Sequence, residues 1–117
     1  MEEKTMAFQT KVAVNGVGNF QISSSIKKFT LIDLGFVTNN AGAYILKRSL
    51  QPEQALDQAI SLKVVFKKDL AGMKIETVGA AGGPVDVTKR ADAKEIEKLM
   101  TFFLNEMVDR QVLEQVA

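Results

Sequence analysis

Four side chains form the best candidate for a binding site: Ser24, Lys28, Tyr44 and Arg48. Tyr44 and Arg48 stand four residues apart in an alternating segment, so they share one face of a predicted strand. A guanidinium can hold a carboxylate or phosphate through two hydrogen bonds, and a tyrosine adds a ring and a hydroxyl. With Ser24 and Lys28 at a nearby predicted turn, the set predicts a site for a small anionic or amino-acid-related metabolite. A core-margin tyrosine beside a solvated arginine is the structural alternative.

The run from Ser23 to Ser25, followed by Lys27 and Lys28, has the residue types of serine–lysine nucleophilic chemistry. Polar residues that close a strand are the commoner explanation of such a run. The chain contains no Cys and no His, which removes the thiolate nucleophile, the usual general base and the commonest metal ligands. We therefore expect no metal and no cofactor, and we favour a non-catalytic protein. An enzyme that uses Lys, Ser, Tyr and carboxylates stays open.

The glycines of residues 10–21, TKVAVNGVGNFQ, have the N-G-x-G spacing of a dinucleotide-binding loop. Such a loop leads into a helix whose N-terminus faces the pyrophosphate, yet residues 19–26 alternate with the two-residue period of a strand. Gln21 also stands where a third glycine is expected. A second glycine-rich segment, residues 79–84, lacks the spacing that wraps a phosphate and is predicted to be a flexible connector.

The same glycines fit a β-hairpin. A loop of three or five residues sets Val12 opposite Phe20 and Thr10 opposite Ile22, which keeps the apolar side chains on one face. We expect a glycine at positive φ in this loop.

Composition bounds the class of protein. The chain has 117 residues, of which 46% are hydrophobic, and a net charge of +1. These values predict a soluble single domain with no nucleic-acid or membrane partner. The N-terminus lacks a secretory signal and no segment has the ~18 apolar residues that span a bilayer. We expect a cytoplasmic protein with a disordered leader at residues 1–5 and one α+β domain at residues 6–117.

Two further hairpins are predicted. Residues 36–39 and 43–50 flank the first turn, and residues 59–67 turn back at 68–71. In the latter hairpin Met73, Ile75 and Thr77 oppose Phe66, Val64 and Leu62. A short helical turn near residues 31–34 is predicted, with Thr30 as N-cap and Gly35 as C-terminal stop. Residues 51–58 could be a helical turn or an ordered loop, and residues 85–87 could be an edge strand.

The C-terminus predicts a helix of about 23 residues that starts at the N-cap Asp92, with Glu95 closing a capping box. Its main apolar stripe comprises Ile96, Leu99, Met100, Phe103, Leu104 and Met107. Phe102, Leu113 and Val116 lie outside that stripe. A helix that is apolar on several sides must be covered on several sides, either by two β layers or by another subunit. We therefore predict self-association through these three residues as one alternative.

Several short motifs together resemble an uncharacterised family of small proteins from lactic acid bacteria and relatives, domain of unknown function 1831. They are Ile26 to Leu31, Leu34-Gly35-Phe36, Gly42, Arg48-Ser49-Leu50, Leu62-Lys63, Lys68-Asp69-Leu70 and Lys74. The resemblance implies an α+β fold in which two β-sheets pack against a single helix, in agreement with the pattern of the C-terminal helix.

The resemblance also implies a remote likeness to prokaryotic S-adenosylmethionine decarboxylases and a role in amino-acid metabolism, including that of sulfur amino acids. Those enzymes use His and Cys side chains, which this chain lacks, so no catalytic residue carries over. We expect an α+β protein with antiparallel hairpins in two sheets on one long helix. Its expected role is that of a non-catalytic accessory or small-ligand-binding protein. The alternatives are an enzyme that uses Lys, Ser, Tyr and carboxylates, or a protein–protein interaction module through the C-terminal helix.

Overall fold

The computed structural model describes residues 8–55 and 57–116. The leader expected at residues 1–5 therefore lies outside the described residues. Two helices and seven strands form in the described part, in the order β1 (Lys11–Val14), β2 (Gly18–Ile22), α1 (Lys28–Leu34), β3 (Val37–Thr38), β4 (Tyr44–Ser49), β5 (Ser61–Phe66), β6 (Met73–Val78), α2 (Ala93–Asp109) and β7 (Leu113–Val116).

The strands form two antiparallel sheets. One has the order β1-β2-β7 and the other β3-β4-β5-β6, so β1 and β6 are both edge strands. The two edges touch at one antiparallel bridge, where the amide of Gln9 donates to the carbonyl of Met73 at 2.9 Å and the amide of Met73 donates back at 2.8 Å. The predicted fold class, two antiparallel sheets with a long helix, is confirmed.

The first hairpin has the predicted register. Val12 opposes Phe20, and the amide of Ile22 donates to the carbonyl of Thr10 at 3.1 Å. Three residues close the loop, and Gly16 within it has a φ of 81°. A Cβ on Gly16 would collide with the carboxylate of Glu97 on α2, so this glycine serves the turn and its close approach to the helix.

The β3–β4 hairpin also pairs antiparallel, with Val37 opposite Ile45. In the β5–β6 hairpin, Met73, Ile75 and Thr77 lie opposite Phe66, Val64 and Leu62, as predicted. In the described part of residues 51–58 the chain forms turns and no helix. Residues 79–84 form a turn in which the amide of Gly79 donates to the carbonyl of Gly83 at 2.8 Å. No strand forms at residues 85–87. The amide of Val85 bonds to Thr77 at 2.9 Å, and the chain then leaves the edge because Val87 turns into the core.

The N-cap predicted at Thr30 is wrong, because α1 already begins at Lys28. Thr30 and Leu31 lie on the buried face of the helix, so packing against the core determines where this short helix starts. The predicted stop at Gly35 is confirmed. Gly35 has a φ of 103°, and the amide of Phe36 donates to the carbonyl of Leu31 at 3.0 Å.

The predicted helix of about 23 residues is too long. α2 ends at Asp109 after 17 residues, and Leu113–Val116 forms β7, which pairs antiparallel with β2. Gln111 ends the helix with a φ of 65°, and the amide of Val112 donates to the carbonyl of Met107 at 2.9 Å. This is a Schellman ending without its usual glycine, so the sequence carries no stop signal there.

The core lies between α2 and both sheets. The fully buried positions of α2 are Ile96, Met100, Leu104 and Met107, all at most 2% exposed. Phe20 of the three-stranded sheet and Phe66 of the four-stranded sheet, each 0% exposed, belong to the same apolar cluster. The prediction that two β layers cover the helix is confirmed. Each such side chain contributes about 1.5–3 kcal/mol through burial.

A buried glutamine ties the β4–β5 connection to the start of α2. The Oε1 atom of Gln51 accepts from the amide of Ile60 at 2.9 Å, and its Nε2 donates to Asp92 at 3.0 Å. Asp92 also accepts from Arg90 at 2.8 Å, and the bonds from Arg90 and Gln51 hold the pKa of this carboxyl below its usual value. Asp92 occupies the predicted N-cap position, but its side chain makes no capping bond because Arg90 and Gln51 engage it.

Substituting Gln51 tests this connection. We expect Gln51→Ala to lower the free energy of unfolding by about 2 kcal/mol, because the buried amide of Ile60 loses its acceptor. Urea denaturation measures the change. Gln54→Ala is the matched control, since the Gln54 side chain is exposed, and it should lie close to wild type. Equal stabilities of the two variants would contradict the role assigned to Gln51.

Gln111→Gly is expected to stabilise the protein by about 0.5–1 kcal/mol, since glycine adopts a positive φ without the penalty of a Cβ and loses part of that gain to chain entropy. The measurement is the shift of the denaturation midpoint. Gln111→Ala keeps the Cβ and should change stability little. A Gly variant less stable than the Ala variant would refute the strain argument.

Candidate functional site

The four residues predicted to bind a ligand occupy different kinds of position. Ser24 is exposed in the turn after β2, where the strand stops at Ile22, and Lys28 is the exposed first residue of α1. Tyr44 is only 9% exposed and packs in the core. None of the four lines the large cleft between the sheets. The anion site at these residues stays a prediction.

Arg48 has a structural contact in the protein. Its Nη2 donates to the carbonyl of Leu34, at the end of α1, at 2.8 Å, and its Nη1 donates to the carbonyl of Lys47 at 3.2 Å. A Cβ on Gly35 would lie 2.7 Å from the Arg48 Nη2 atom, so the guanidinium packs directly on the helix ending. The arginine therefore caps α1 against β4.

A concave feature of the described part of the chain lies between the facing edges of the two sheets. β1 and β6 both line an open cleft of about 510 Å³, and the Gln9–Met73 bridge ties the segment before β1 to the start of β6. Its walls are β1 with the following turn, β6, and residues 84–88, and Met100 of α2 lies at its base. This volume falls within the range of small-molecule sites.

The floor of the cleft is apolar. Met73, Ile75 and Thr77 share the inner face of β6, because they pair with the buried residues of β5. Half-buried Val12, Val14 and Val85 face the same space, together with Leu62 and Met100, which are each 1% exposed.

The strand edges supply main-chain hydrogen-bonding groups. Because the bonds of an antiparallel strand alternate between its two sides, Ile75 directs its N–H and C=O to the same edge at which Met73 bonds to Gln9. Thr77 accepts from the amide of Val85 at that edge. Across residues 8–55 and 57–116, no hydrogen-bond partner is found for the N–H and C=O of Ile75.

Charged side chains stand at the rim. Lys74 and Glu76 alternate to the outer face of β6, and the Lys74 ammonium lies 4.5 Å from the centroid of the Phe8 ring. Asp86 accepts from the Thr88 hydroxyl at 2.6 Å and from the Thr88 amide at 3.0 Å, and these bonds lower the pKa of its carboxyl. In the residues that the structure describes, no three carboxylates are grouped in a way that could hold a metal ion.

The sequence did not identify the residues that line the cleft. Alternation along β1 and β6 predicted which side chains face inward, and it did so correctly for Val12, Val14 and Ile75. The alternation does not indicate which strand edges lie together, because β1 and β6 are far apart in the chain. No local motif marks such a site.

The surface predicted for self-association is not formed as expected. Phe102 is 62% exposed on α2, but Leu113 is only 1% exposed. Leu113 belongs to β7, where its side chain enters the core and is closed to a partner. Self-association itself stays a prediction. Neither helix of the described ranges is long and apolar enough to cross a membrane.

Substituting Arg48 separates capping from anion binding. We expect Arg48→Ala to lower the free energy of unfolding by about 1 kcal/mol, because the carbonyl at the end of α1 loses a charged donor. Thermal and urea denaturation measure the loss. Lys47→Ala, an exposed change on the same strand, is the control and should be neutral. Unchanged stability of Arg48→Ala, together with lost anion binding, would instead favour the site at Ser24, Lys28, Tyr44 and Arg48.

Comparison with known proteins agrees with this fold. No curated protein matches the chain significantly. A DUF1831 family protein from Lactobacillus plantarum, with a crystal structure at 1.20 Å resolution, superposes with a TM-score of 0.82 at 32% identity, covering 95% of this chain and 99% of that one. The model of family DUF1831, described as "Putative amino acid metabolism", matches residues 6–114. This chain is therefore a member of the DUF1831 family.

Proposed function

We propose that this protein is a non-catalytic small-ligand-binding protein linked to amino-acid metabolism, and that its ligand binds in the cleft between the two sheets. The observation that carries the proposal is the cleft of about 510 Å³, which combines an apolar floor, main-chain groups and charges of both signs. Pockets that bind metabolites have this composition. The family description supports the link to amino acids.

The chemistry of the cleft favours binding over catalysis. Its threonine hydroxyls are engaged within the protein: Thr77 donates to the carbonyl of Val85 at 2.6 Å, and Thr88 donates to Asp86. The chain has no His or Cys to activate a nucleophile or shuttle a proton. The charged side chains at the rim of the cleft can orient a ligand through hydrogen bonds, which is the role proposed here.

The walls of the cleft are held by structure that does not depend on a ligand. β1 is fixed by its ladder with β2, and β6 by six paired positions with β5. A preformed cleft needs little ordering on binding, and this favours affinity for a small molecule.

A ligand screen with a blocked cleft tests the proposal. We expect an amino acid or a related metabolite, from a panel that includes nucleosides and S-adenosylmethionine, to raise the melting temperature with the concentration dependence of mass action. Val14→Phe should abolish that shift, because the larger side chain occupies the cleft. Val37→Phe makes the same change at an exposed strand position that is 63% exposed, and it should bind like wild type.

Two results would contradict the proposal. One is a ligand-induced shift that is equal in Val14→Phe and Val37→Phe, which would place binding outside the cleft. The other is chemical turnover of the stabilising ligand, measured by chromatography of the reaction mixture, which would make the protein an enzyme.

A further inference from the structure

We propose that the outer face of the four-stranded sheet, the side of β3 to β6 that is turned away from the core, docks an acidic and partly apolar segment of another protein. Its central residues are Ile45, Lys47, Lys63 and Val65, which lie outside the lining of the cleft. The inference is therefore independent of the ligand proposed above.

The strand register determines which side chains share the outer face. Leu46 and Val64 oppose each other and are buried, as is Leu62, so the residues between them project outward. Outward residues form two rows across the strands: Val37, Ile45, Val65 and Lys74 in the first, and Lys47, Lys63 and Glu76 in the second. The rows lie about 7 Å apart, because a strand rises about 3.4 Å per residue.

The first row is apolar where a solvated face is expected to be polar. Val37 is 63% exposed and Ile45 is half-buried, and the two oppose each other on the side away from the core. The outer face of the three-stranded sheet provides a comparison within the same chain. There Lys11, Gln21 and Glu114 form a polar row, and Gln21 donates to Glu114 at 2.8 Å. The four-stranded sheet instead leaves adjoining apolar side chains on its solvent side.

The second row contains a like-charge pair. Lys47 and Lys63 lie directly opposite each other and project to the same side. The Cβ atoms of such a pair are about 5 Å apart, and like charges in this position destabilise a sheet. Glu76 opposes Lys63 from β6, while Lys74 adds a further positive charge, in a chain whose net charge is only +1. Carboxylates of a partner would relieve the remaining repulsion, so charge complementarity favours an acidic partner.

The composition of the face favours a protein segment over other partners. Neither row contains an aromatic side chain on which a base could stack, which disfavours single-stranded nucleic acid. Val65 is only 8% exposed, so the apolar row lies too low among its neighbours to insert into a membrane. A second copy bound through the same face would set lysines against lysines across the twofold axis.

The spacing of the rows suits an extended segment. Side chains two residues apart in an extended chain project to the same side and lie about 7 Å apart, which is the distance between the rows. An apolar residue followed two positions later by a carboxylate would therefore contact the first row and the second row together. The main contacts would be with Ile45 and Val65 in one row and with Lys47 and Lys63 in the other.

Fluorescence anisotropy of labelled synthetic peptides with the full chain tests the proposal. The probe repeats valine, serine, glutamate and serine, so that valine and glutamate alternate on one side of the extended peptide. We expect it to bind, and to lose at least about tenfold in affinity when lysine replaces glutamate or when serine replaces valine. An ionic strength of about 0.15 M, with a Debye length of about 8 Å, restricts the effect to nearby charges. The peptide series uses the unaltered protein, so it does not depend on the folding of a variant.

Reversing one charge on the face gives a second measurement. Lys47→Glu replaces the like-charge pair with a carboxylate opposite Lys63. We expect the melting temperature to rise while affinity for the valine–glutamate peptide falls at least about tenfold. Lys11→Glu makes the same change at an exposed position on the other sheet and should bind the peptide like wild type. A face without a docking role would not couple a gain in stability to a loss of binding.

Three results would overturn the proposal. One is the absence of binding by the valine–glutamate peptide, and another is equal affinity of Lys47→Glu and Lys11→Glu for it. The third is tighter binding of polyuridylate, or of vesicles containing phosphatidylglycerol, that is lost in Lys47→Glu, which would assign the face to nucleic acid or to membrane. The ligand-induced shift compared in Val14→Phe and Val37→Phe judges the proposed function separately.

Discussion

The fold depends on the burial of one helix by two sheets. Each sheet is antiparallel and packs one face into the core, and neither can bury that face by itself. α2 supplies the common partner: Met100 and Leu104, at most 1% exposed, lie in one cluster with Phe20 of one sheet and Phe66 of the other. Removing the helix from this position would expose both faces at once, which makes the two sheets one cooperative unit.

The cleft is a consequence of this arrangement. The two sheets that cover this helix have their edge strands β1 and β6 on either side of one cleft. The Gln9–Met73 bridge joins the two sheets at one point, and the apolar floor of the cleft lies between them. Edge strands usually require protection against pairing with other chains. In this protein the bridge from Gln9 and the bond from the Val85 amide each cover part of the β6 edge.

Two polar side chains for which the sequence predicted a role as an anion-binding residue or a helix cap instead form hydrogen bonds between secondary-structure elements or loops in the structure. Arg48 has the residue type of an anion ligand, and its guanidinium bonds to the last carbonyl of α1. Asp92 has the pattern of a helix cap, and its carboxylate joins Arg90 to Gln51. Residue type predicts which bonds a side chain can make, but the partner depends on which backbone groups the fold brings near it. For this reason the candidate site was less predictable than the fold.

The sequence by itself determined the hairpin registers, the inward faces of β1, β5 and β6, the apolar stripe of α2 and the family. The family follows from short motifs, and the other features follow from local periodicity, because the pleat and the helical turn impose their periods on neighbouring residues. Only the tertiary structure decided where α2 ends and where the two sheet edges meet. Gln111 takes a positive φ that its residue type disfavours, because pairing of Leu113 with Ile22 and burial of Val112 require the chain to turn there. The contact of Gln9 with Met73 joins distant parts of the chain, so packing on the common helix, and no local pattern, forms the cleft.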